Sequence, residues 1–532
     1  MKLHLIPLIL SALALSHQIQ AQGTLTPPPT GGQAVGLAGP LGSSGQPMPT
    51  MKTLHQIEPR HDLLNGPWGV GDIIVDISDS RAHYVIKKSG SYYLSANLEV
   101  SKSHGIIIEA DDVVLDLNGF SIHGSNAGTG VGAVGREQFR IENGTLAKLA
   151  TGISASGVGK LQGLKIRECG SYALSLTGAS SHMDVLDTSV SECAVGSNPV
   201  INLIDCGHAT LQQVSLHASS GRRGIYCSTG KLSMIESRVS FGEFSEGAVT
   251  AGDEAFLDRC EVTDTGCLGG FEFSNAKVSH CLVSRCQLPT GASADDWAWA
   301  AAFFSGGTNS IVECVAAEND LGFGFWDGSG GSAFHRCMAS SGDEATSEAF
   351  PWHGFFVSSA SLFDCKAIGR KNSDSSRYET GFLLAGDSAL HRCSALAIGG
   401  TGFKSQGSGT LTLRDCIASH VDRGVYGNAS GMVDIKNCGI RNADGPGIEI
   451  EGNNGNIDSN TVHQCVRAMV VTGTGNVITR NQLKQSGLAH WQVMPGNRVA
   501  VILRPTTNSL MIGGDGLASG FSGADPWANF VD

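Results

Sequence analysis

Apolar and polar positions repeat along the chain in two short units that alternate. In the first unit an apolar residue is followed by two variable residues, then Cys or Asn, then an apolar residue two positions further on, as in Val278 to Val283. In the second unit Gly precedes two apolar residues that are separated by one variable residue, as in Gly270 to Phe273. Such alternation over four to six residues is typical of short strands with one buried face.

The spacing of the first unit predicts the fold. Most of its Cys or Asn residues follow one another at intervals of 21 to 28 residues, with one interval of 33. They are Cys260, Cys281, Cys314, Cys337, Cys365, Cys393, Cys416, Cys438, Asn460 and Asn481. A period near 22 with two or three short strands indicates an all-β, single-stranded, right-handed parallel β-helix solenoid, of roughly fifteen coils with terminal caps.

Stacked coils place equivalent residues in files about 4.8 Å apart. We therefore expect the cysteines to form one buried file of small apolar thiols, with disulfides between adjacent coils as the alternative. Asn460 and Asn481 are expected to continue the file as an amide ladder. Gly and Asn are expected at the corners, where a positive φ is needed.

The ends of the chain differ from its repeats. Lys2 followed by the apolar stretch Leu5 to Leu15 has the pattern of a signal peptide. The predicted segments are a signal peptide (1–21), a Gly/Pro-rich flexible leader (22–50), an N-terminal cap with the first strands (51–99), the β-helix (100–494) and a C-terminal cover (495–532). We expect secretion, either to the periplasm or out of the cell, and no membrane span.

Composition narrows the class of function. The net charge is −13, which makes the chain a poor nucleic-acid binder because phosphate contacts dominate that affinity. The 15 cysteines include no CxxC pair, and no HExxH motif is present, so no structural metal is predicted.

Several segments resemble a known family. They are Met51 to Arg60, Gly90 to Leu98, Ile106 to Phe120, Gly496-Asn497 and Asp525 to Phe530. They are similar to the opening and close of exported bacterial right-handed parallel β-helix repeat proteins, in the pectate-lyase-like superfamily, and the resemblance covers most of the mature chain. The resemblance implies the fold but no particular reaction, since that superfamily includes lyases, polygalacturonases, alginate epimerases and non-catalytic carbohydrate-binding proteins. The polygalacturonase and epimerase signatures are absent from this sequence, which leaves a lyase open.

Three long insertions interrupt the coils at one corner. The interval from a file cysteine to the next Gly-apolar strand is usually 8 or 9 residues, but it is 17 after Cys337, 16 after Cys365 and 21 after Cys281. In a stacked solenoid these three loops emerge on one side, within roughly 15 to 20 Å along the axis. Loops that break a regular scaffold commonly carry function.

The loops contain the residues of a candidate site. Trp297, Trp299 and Trp352 are predicted to bind substrate, because aromatic rings suit the C–H surfaces of sugars. The predicted catalytic residues are His353, Arg370, Lys371, Arg377 and Tyr378.

β-Elimination on a uronic acid needs a cation for the carboxylate, a base and an acid. Arg370 or Arg377 fits the first role, Lys371 or His353 the second, and Tyr378 or His353 the third. Loop carboxylates are also ligands of the kind that Ca²⁺ prefers, and no other cofactor is indicated. The alternative is that the loop charges are merely solvated and that the tryptophans pack over the coil edge.

A second basic corner holds His217, Arg222, Arg223 and Tyr226, for which two solvated arginines at a turn are the alternative. Taken together, the sequence favours a secreted carbohydrate-active protein whose partner is a polysaccharide, most concretely a polysaccharide lyase acting on an acidic glycan. A non-catalytic surface or matrix protein that binds glycan or serves as a rod is the alternative, and a glycoside hydrolase or epimerase is third. Nothing in the sequence specifies the oligomeric state.

Overall fold

Successive strands wind around one axis and pair in parallel with their equivalents one coil away, over about 17 turns. The structure is a computed structural model that describes residues 60–68, 74–297, 299–342, 352–370, 379–428, 430–500, 502–503, 512–514 and 527–531. The predicted signal peptide, leader and residues 51–59 of the predicted cap lie outside the described residues. The predicted all-β solenoid is confirmed, with slightly more coils than the fifteen expected.

The strand pairings define three sheets, named A, B and C here. Sheet A contains Ala82–Ile86, His104–Ile108, Tyr172–Leu176, Pro199–Asn202, Arg223–Cys227, Gly247–Ala251, Gly269–Ser274, Ala301–Gly306, Phe323–Asp327, His353–Ser358, Thr380–Ala385, Thr401–Gln406, Arg423–Gly427, Ala489–Val493 and Ile512–Gly514. Sheet B contains Arg60–Asp62, Gly90–Tyr93, Val113–Asp116, His182–Leu186, His208–Gln212, Lys231–Ile235, Phe256–Asp258, Lys277–Ser279, Ser310–Val312, Ala333–His335, Ser361–Phe363, Ser388–His391, Thr410–Arg414, Met432–Lys436, Asn456–Asp458, Val477–Thr479 and Arg498–Val499. Sheet C contains Leu98–Glu99, Ser121–His123, Ser189–Ser191, Ser215–His217, Arg238–Ser240, Glu261–Thr263, Leu282–Ser284, Val315–Asn319, Met338–Ser341, Lys366–Ile368, Ser394–Leu396, Ile417–Val421, Gln482–Lys484 and Asn529–Val531.

A few elements depart from this scheme. Four long strands run through more than one sheet: Thr129–Ala147, Thr151–Arg167, Gly439–Ile450 and Thr461–Val471. Val75–Asp76 pairs antiparallel with the first strand of sheet A, Ser220–Gly221 pairs with Glu243–Phe244, and Ile502–Leu503 pairs with the last strand of sheet C. One short helix, Ala294–Trp297, lies in the first long loop.

A ladder of phenylalanine rings fills the core beneath sheet A. The six stacked rings belong to Phe271, Phe303, Phe325, Phe355, Phe382 and Phe403. Successive ring centroids lie 4.7 to 5.6 Å apart, close to the spacing of the coils. Burying one such side chain stabilises the folded protein by roughly 1.5 to 3 kcal/mol. The Gly-Phe repeat of the sequence therefore stabilises the fold mainly through these buried rings.

All fifteen cysteines are free and buried, and eight of them form the predicted interior file: Cys260, Cys281, Cys314, Cys337, Cys365, Cys393, Cys416 and Cys438. Each file cysteine follows one residue at which the chain turns from sheet B to sheet C. The expectation of Gly or Asn at the corners is wrong for this turn. Several coils place charged residues there at positive φ, such as Arg259 (51°), Glu313 (53°) and Arg336 (53°). Backbone hydrogen bonds between coils offset the strain: the Glu313 amide donates to the His335 carbonyl at 2.8 Å.

The file ends in the predicted amide ladder. Nδ2 of Asn460 donates to Oδ1 of Asn481 at 3.0 Å, and Nδ2 of Asn481 donates to Oδ1 of Asn529 at 3.1 Å. All three side chains are fully buried. Asn529 lies in the predicted C-terminal cover, so the described part of that segment adds a rung to the same ladder.

Candidate functional site

Several sheet A strands direct two side chains outward, three residues apart. In Phe323–Asp327 these are Phe323 and Trp326, while Gly324 and Phe325 between them are buried. Strand register aligns these two positions from coil to coil, so the outer surface of sheet A carries two parallel files. Residues far apart in sequence thereby become neighbours about 4.8 Å apart.

One outward file carries an aromatic strip, defined by Phe304, Trp326 and Phe356. The rings of Phe304 and Trp326 stack with centroids 4.1 Å apart, and those of Trp326 and Phe356 with centroids 5.9 Å apart. All three side chains are partly exposed. The other file adds Phe323, whose ring lies 5.8 Å from that of Phe356. The result is an apolar surface of the kind that marks a binding site.

Trp299 stands at the edge of this strip. Its side chain is 62% exposed, and its ring meets Trp326 edge to face, at 6.1 Å and 72°. Rings stacked within the strip cover one another's faces and present their edges to solvent. The exposed indole of Trp299, roughly perpendicular to them, therefore offers the open aromatic face of the group.

Of the predicted catalytic residues, His353 belongs to the outward surface of sheet A. Its ring lies 5.2 Å from that of Phe323, and Nδ1 is buried without a hydrogen-bond partner. Burial, with a smaller contribution from the charge of Lys404, lowers the pKa of His353 to about 4. The imidazole is therefore neutral at pH 7, and it is only a weak base.

The other predicted residues are placed only in part. Arg370 is partly exposed at the start of the third loop. Trp352 is 3% exposed and packs in the core. Lys371, Arg377, Tyr378 and the side chain of Trp297 lie outside the described residues. The catalytic and binding roles of this set stay predictions.

Strand register shows where the three long loops lead into sheet A. The loops lead into strands that begin at Ala301, His353 and Thr380, and these residues lie in one file together with Phe323. The loops therefore enter sheet A at one corner, within three coil steps or about 14 Å.

The second basic corner lies on the same surface of sheet A. Arg222 Nε lies 2.5 Å from Glu246 Oε1, and Arg223 pairs with the other oxygen of the same carboxylate. The guanidinium of Arg223 also sits over the ring of Tyr226, 4.3 Å from its centroid. His217 does not join this group, because it faces outward from sheet C and stacks edge-on against Phe241.

The first long loop contacts the coils that precede it. The amide of Thr290 donates to Oε1 of Glu243 at 2.5 Å. The basic corner and the aromatic strip lie on the same surface of sheet A, with four coil steps from Arg223 to Phe323.

Glu272 is a residue of this surface that the sequence analysis missed. It occupies the variable position of Gly270 to Phe273 and lies directly beside Phe304 in the outward file. The signal that could have identified it is an acidic residue between two phenylalanines of a strand, because period-two alternation puts that position on the outside.

The described residues contain no group of three or more His, Cys, Asp or Glu side chains arranged to hold a metal ion. Of the loop carboxylates considered for Ca²⁺, Asp295, Asp296 and Glu379 are described, and Glu379 is buried and accepts a hydrogen bond from the Gly399 amide at 3.0 Å. The others lie outside the described residues. A calcium site therefore stays a prediction. In the ranges that the structure covers, no helix is both long and apolar enough to cross a membrane.

The fold and the strand register define the class as a parallel β-helix protein. Residues 351–510 match the family model described as "Right handed beta helix region", in agreement with the parallel coils of the structure. No curated protein matches the sequence.

Two similar solved structures are of one enzyme. The crystal structure of the periplasmic alginate epimerase AlgG shares 9% sequence identity over 80% of this chain and 79% of that chain, with a TM-score of 0.18. The crystal structure of a point mutant of AlgG shares 8% identity with the same coverage and a TM-score of 0.16. Similarity at this level carries no argument about activity.

Proposed function

We propose that this chain is a secreted carbohydrate-active protein that binds a polysaccharide along the aromatic strip of sheet A, and that it cleaves an acidic glycan in the manner of a polysaccharide lyase. The observation that carries the proposal is the open indole of Trp299 beside the stacked rings of Trp326 and Phe304. Aromatic surface of this size commonly dominates the energetics of a binding site.

The arrangement of the strip suits a long linear ligand. Its rings come from three successive coils and run parallel to the solenoid axis. A polymer lying along the axis would meet one ring after another, whereas a small ligand would meet one or two. The arginines of the second basic corner lie on the same surface, which favours an acidic chain over a neutral one.

Binding is tested first, because it does not depend on catalysis. The full protein is titrated with a panel of uronic-acid glycans and with a neutral glucan, and the heat of binding is measured. Trp299→Ala should weaken binding at least tenfold, which corresponds to about 1.4 kcal/mol. Phe256→Ala is the matched control, because that phenylalanine is 41% exposed on sheet B, away from the strip. Equal affinity of both variants for every glycan would remove the proposed site.

Cleavage is tested with the same panel. A lyase leaves an unsaturated uronate that absorbs in the ultraviolet, and His353→Ala, Lys371→Ala and Arg377→Ala should each abolish its formation if the predicted loop residues act. Binding without any change in the glycan would support the alternative, a non-catalytic glycan-binding protein, which the aromatic strip favours equally. New reducing ends without absorbance would indicate a hydrolase, and an altered uronate stereochemistry would indicate an epimerase.

A further inference from the structure

A notch interrupts the outward file that contains Phe323, beside the aromatic strip. Between Arg223 and Phe323 this file contains only Gly247, Gly269 and Ala301, so three successive coils place almost no side chain there. The notch is about four coil steps long from Arg223 to Phe323, or about 19 Å. It runs beside the line of the aromatic strip, in the neighbouring outward file, toward the basic corner.

The side chain of Glu272 lies across the floor of the notch. A Cβ atom added at Gly247 would stand 2.7 Å from Cδ of Glu272, and one added at Gly269 would stand 2.5 Å from its Oε1. Both distances are shorter than real Cβ contacts, so the two glycines make room for this carboxyl group. The hydroxyl of Thr250 donates to Oε2 of Glu272 at 2.8 Å and fixes its orientation.

The surroundings of Glu272 change its acidity while leaving it accessible. The side chain is partly exposed, yet desolvation by the protein atoms around it raises the pKa of the carboxyl group. The hydrogen bond from Thr250 and the charge of Arg223 act in the opposite direction. A carboxyl group with a raised pKa is a stronger base when ionised and a useful acid when protonated near neutral pH.

The basic corner at the end of the notch has two arginines. Arg222 and Arg223 share the single carboxylate of Glu246, and the charge of Arg223 also acts on Glu272. Nε of Arg223 is buried and has no hydrogen-bond partner. The Arg223 side chain is 18% exposed, so part of its guanidinium is within reach of a bound carboxylate.

We propose that the notch is the reaction centre for an acidic glycan, in which Arg223 binds the carboxylate of a uronate residue and Glu272 transfers the proton during β-elimination. The proposal rests on the glycan binding proposed above, because a chain held on the aromatic strip extends over the notch. It adds a site that is separate from the residues of the second and third loops.

One carboxyl group can carry out both proton transfers of the β-elimination. Ionised Glu272 removes the proton on C5 of the uronate, and the C–H electron pair forms the C4–C5 double bond. The bond from C4 to the glycosidic oxygen breaks, and that oxygen leaves with the bonding pair. The leaving oxygen takes the proton from the Glu272 carboxyl, so the carboxylate is restored and no further reactant is consumed.

The decisive experiment measures ultraviolet product formation and glycan affinity side by side for the full protein. Glu272→Gln keeps the shape of the side chain but cannot transfer a proton, so kcat should fall at least 100-fold while affinity stays within threefold. Arg223→Gln should raise KM as well as lower kcat. Arg423→Gln is its matched control, since Arg423 also precedes a Gly, an apolar residue and a Tyr but pairs with Glu449 at 3.4 Å, and it should leave kcat unchanged.

Two further variants distinguish a positional role from a general loss of structure. Gly269→Ala displaces the carboxyl group without removing it, and kcat should fall at least tenfold with little change in affinity. Thr250→Val removes a hydrogen bond that lowers the pKa of Glu272, so the acidic limb of the pH–rate profile should move to higher pH.

The outcomes separate this inference from the proposed function. Full activity of Glu272→Gln, or wild-type protein that binds glycans and forms no unsaturated product, would overturn the assignment of the notch and leave glycan binding intact. Wild-type protein that binds no glycan of the panel would remove the proposed function as well.

Discussion

Phe304 and Trp326 lie 22 positions apart in the sequence, yet their rings stack at 4.1 Å and 17° on the outer surface of sheet A. Their neighbours Phe303 and Phe325 stack at 4.7 Å on the inner side of the same two strands. Adjacent residues of one strand thus enter two separate aromatic stacks, one exposed and one buried. The same residue type supports the fold on one side and offers a binding surface on the other.

The two stacks should respond differently to truncation. Phe325→Ala leaves a cavity in a close-packed core and should lower the free energy of unfolding by about 3 to 5 kcal/mol. Trp326→Ala removes the partly exposed stacking contacts with Phe304 and Phe356, and about 1 to 3 kcal/mol is expected. Urea unfolding followed by circular dichroism measures both values. Equal losses would contradict the inner and outer assignment of the two rings.

The pKa of His353 predicts a pH dependence of stability. Its pKa falls from 6.5 in the unfolded chain to about 4 in the folded protein, so the unfolded state binds more protons between these values. Stability from this residue is complete above pH 6.5 and is lost as the pH falls toward 4, by about 3 kcal/mol.

His353→Gln should remove that dependence. The measurement is the difference in unfolding free energy between wild type and variant at pH 7.5 and at pH 4, since other titrating groups cancel in the difference. A difference that does not change with pH would show that the imidazole is solvated in the folded state.

The amide ladder predicts a large effect of one buried side chain. Asn481 accepts from Asn460 and donates to the Ile457 carbonyl at 2.8 Å and to Asn529 at 3.1 Å. Asn481→Ala leaves these buried partners unsatisfied, and about 2 to 4 kcal/mol of stability should be lost. Asn456→Ala, at a partly exposed position with one contact of 3.3 Å to Asp434, should cost less than about 1 kcal/mol.

The cysteine file predicts a chemical response of the native protein. All fifteen thiols are free and buried, and burial raises the pKa of Cys206 and of Cys227 to about 11. A thiol-specific reagent at pH 8 should therefore react with almost none of them before unfolding and with all fifteen after denaturation without a reductant. Fewer thiols after denaturation would reveal disulfides between coils.

Some features of the fold could not be predicted because they depend on more than one coil. The sequence shows that Asn460 and Asn481 share a file, but it does not show that Asn529, 48 residues beyond Asn481, returns to the same file. The charged residue Arg259 at a positive-φ corner was missed for a related reason. Hydrogen bonds from neighbouring coils support that conformation, whereas local propensity alone favours Gly or Asn.

The sequence by itself determined the solenoid, its cysteine file and the corner at which the long loops emerge, because a regular period of short strands admits one way of stacking. Only the tertiary structure decided which outward side chains become neighbours. Glu272 reaches the space above Gly247 and Gly269, and the first loop folds back to Glu243, through side-chain packing between coils of unequal length. Alternation along a strand tells inside from outside, but contacts across the outer surface depend on the path of every intervening turn.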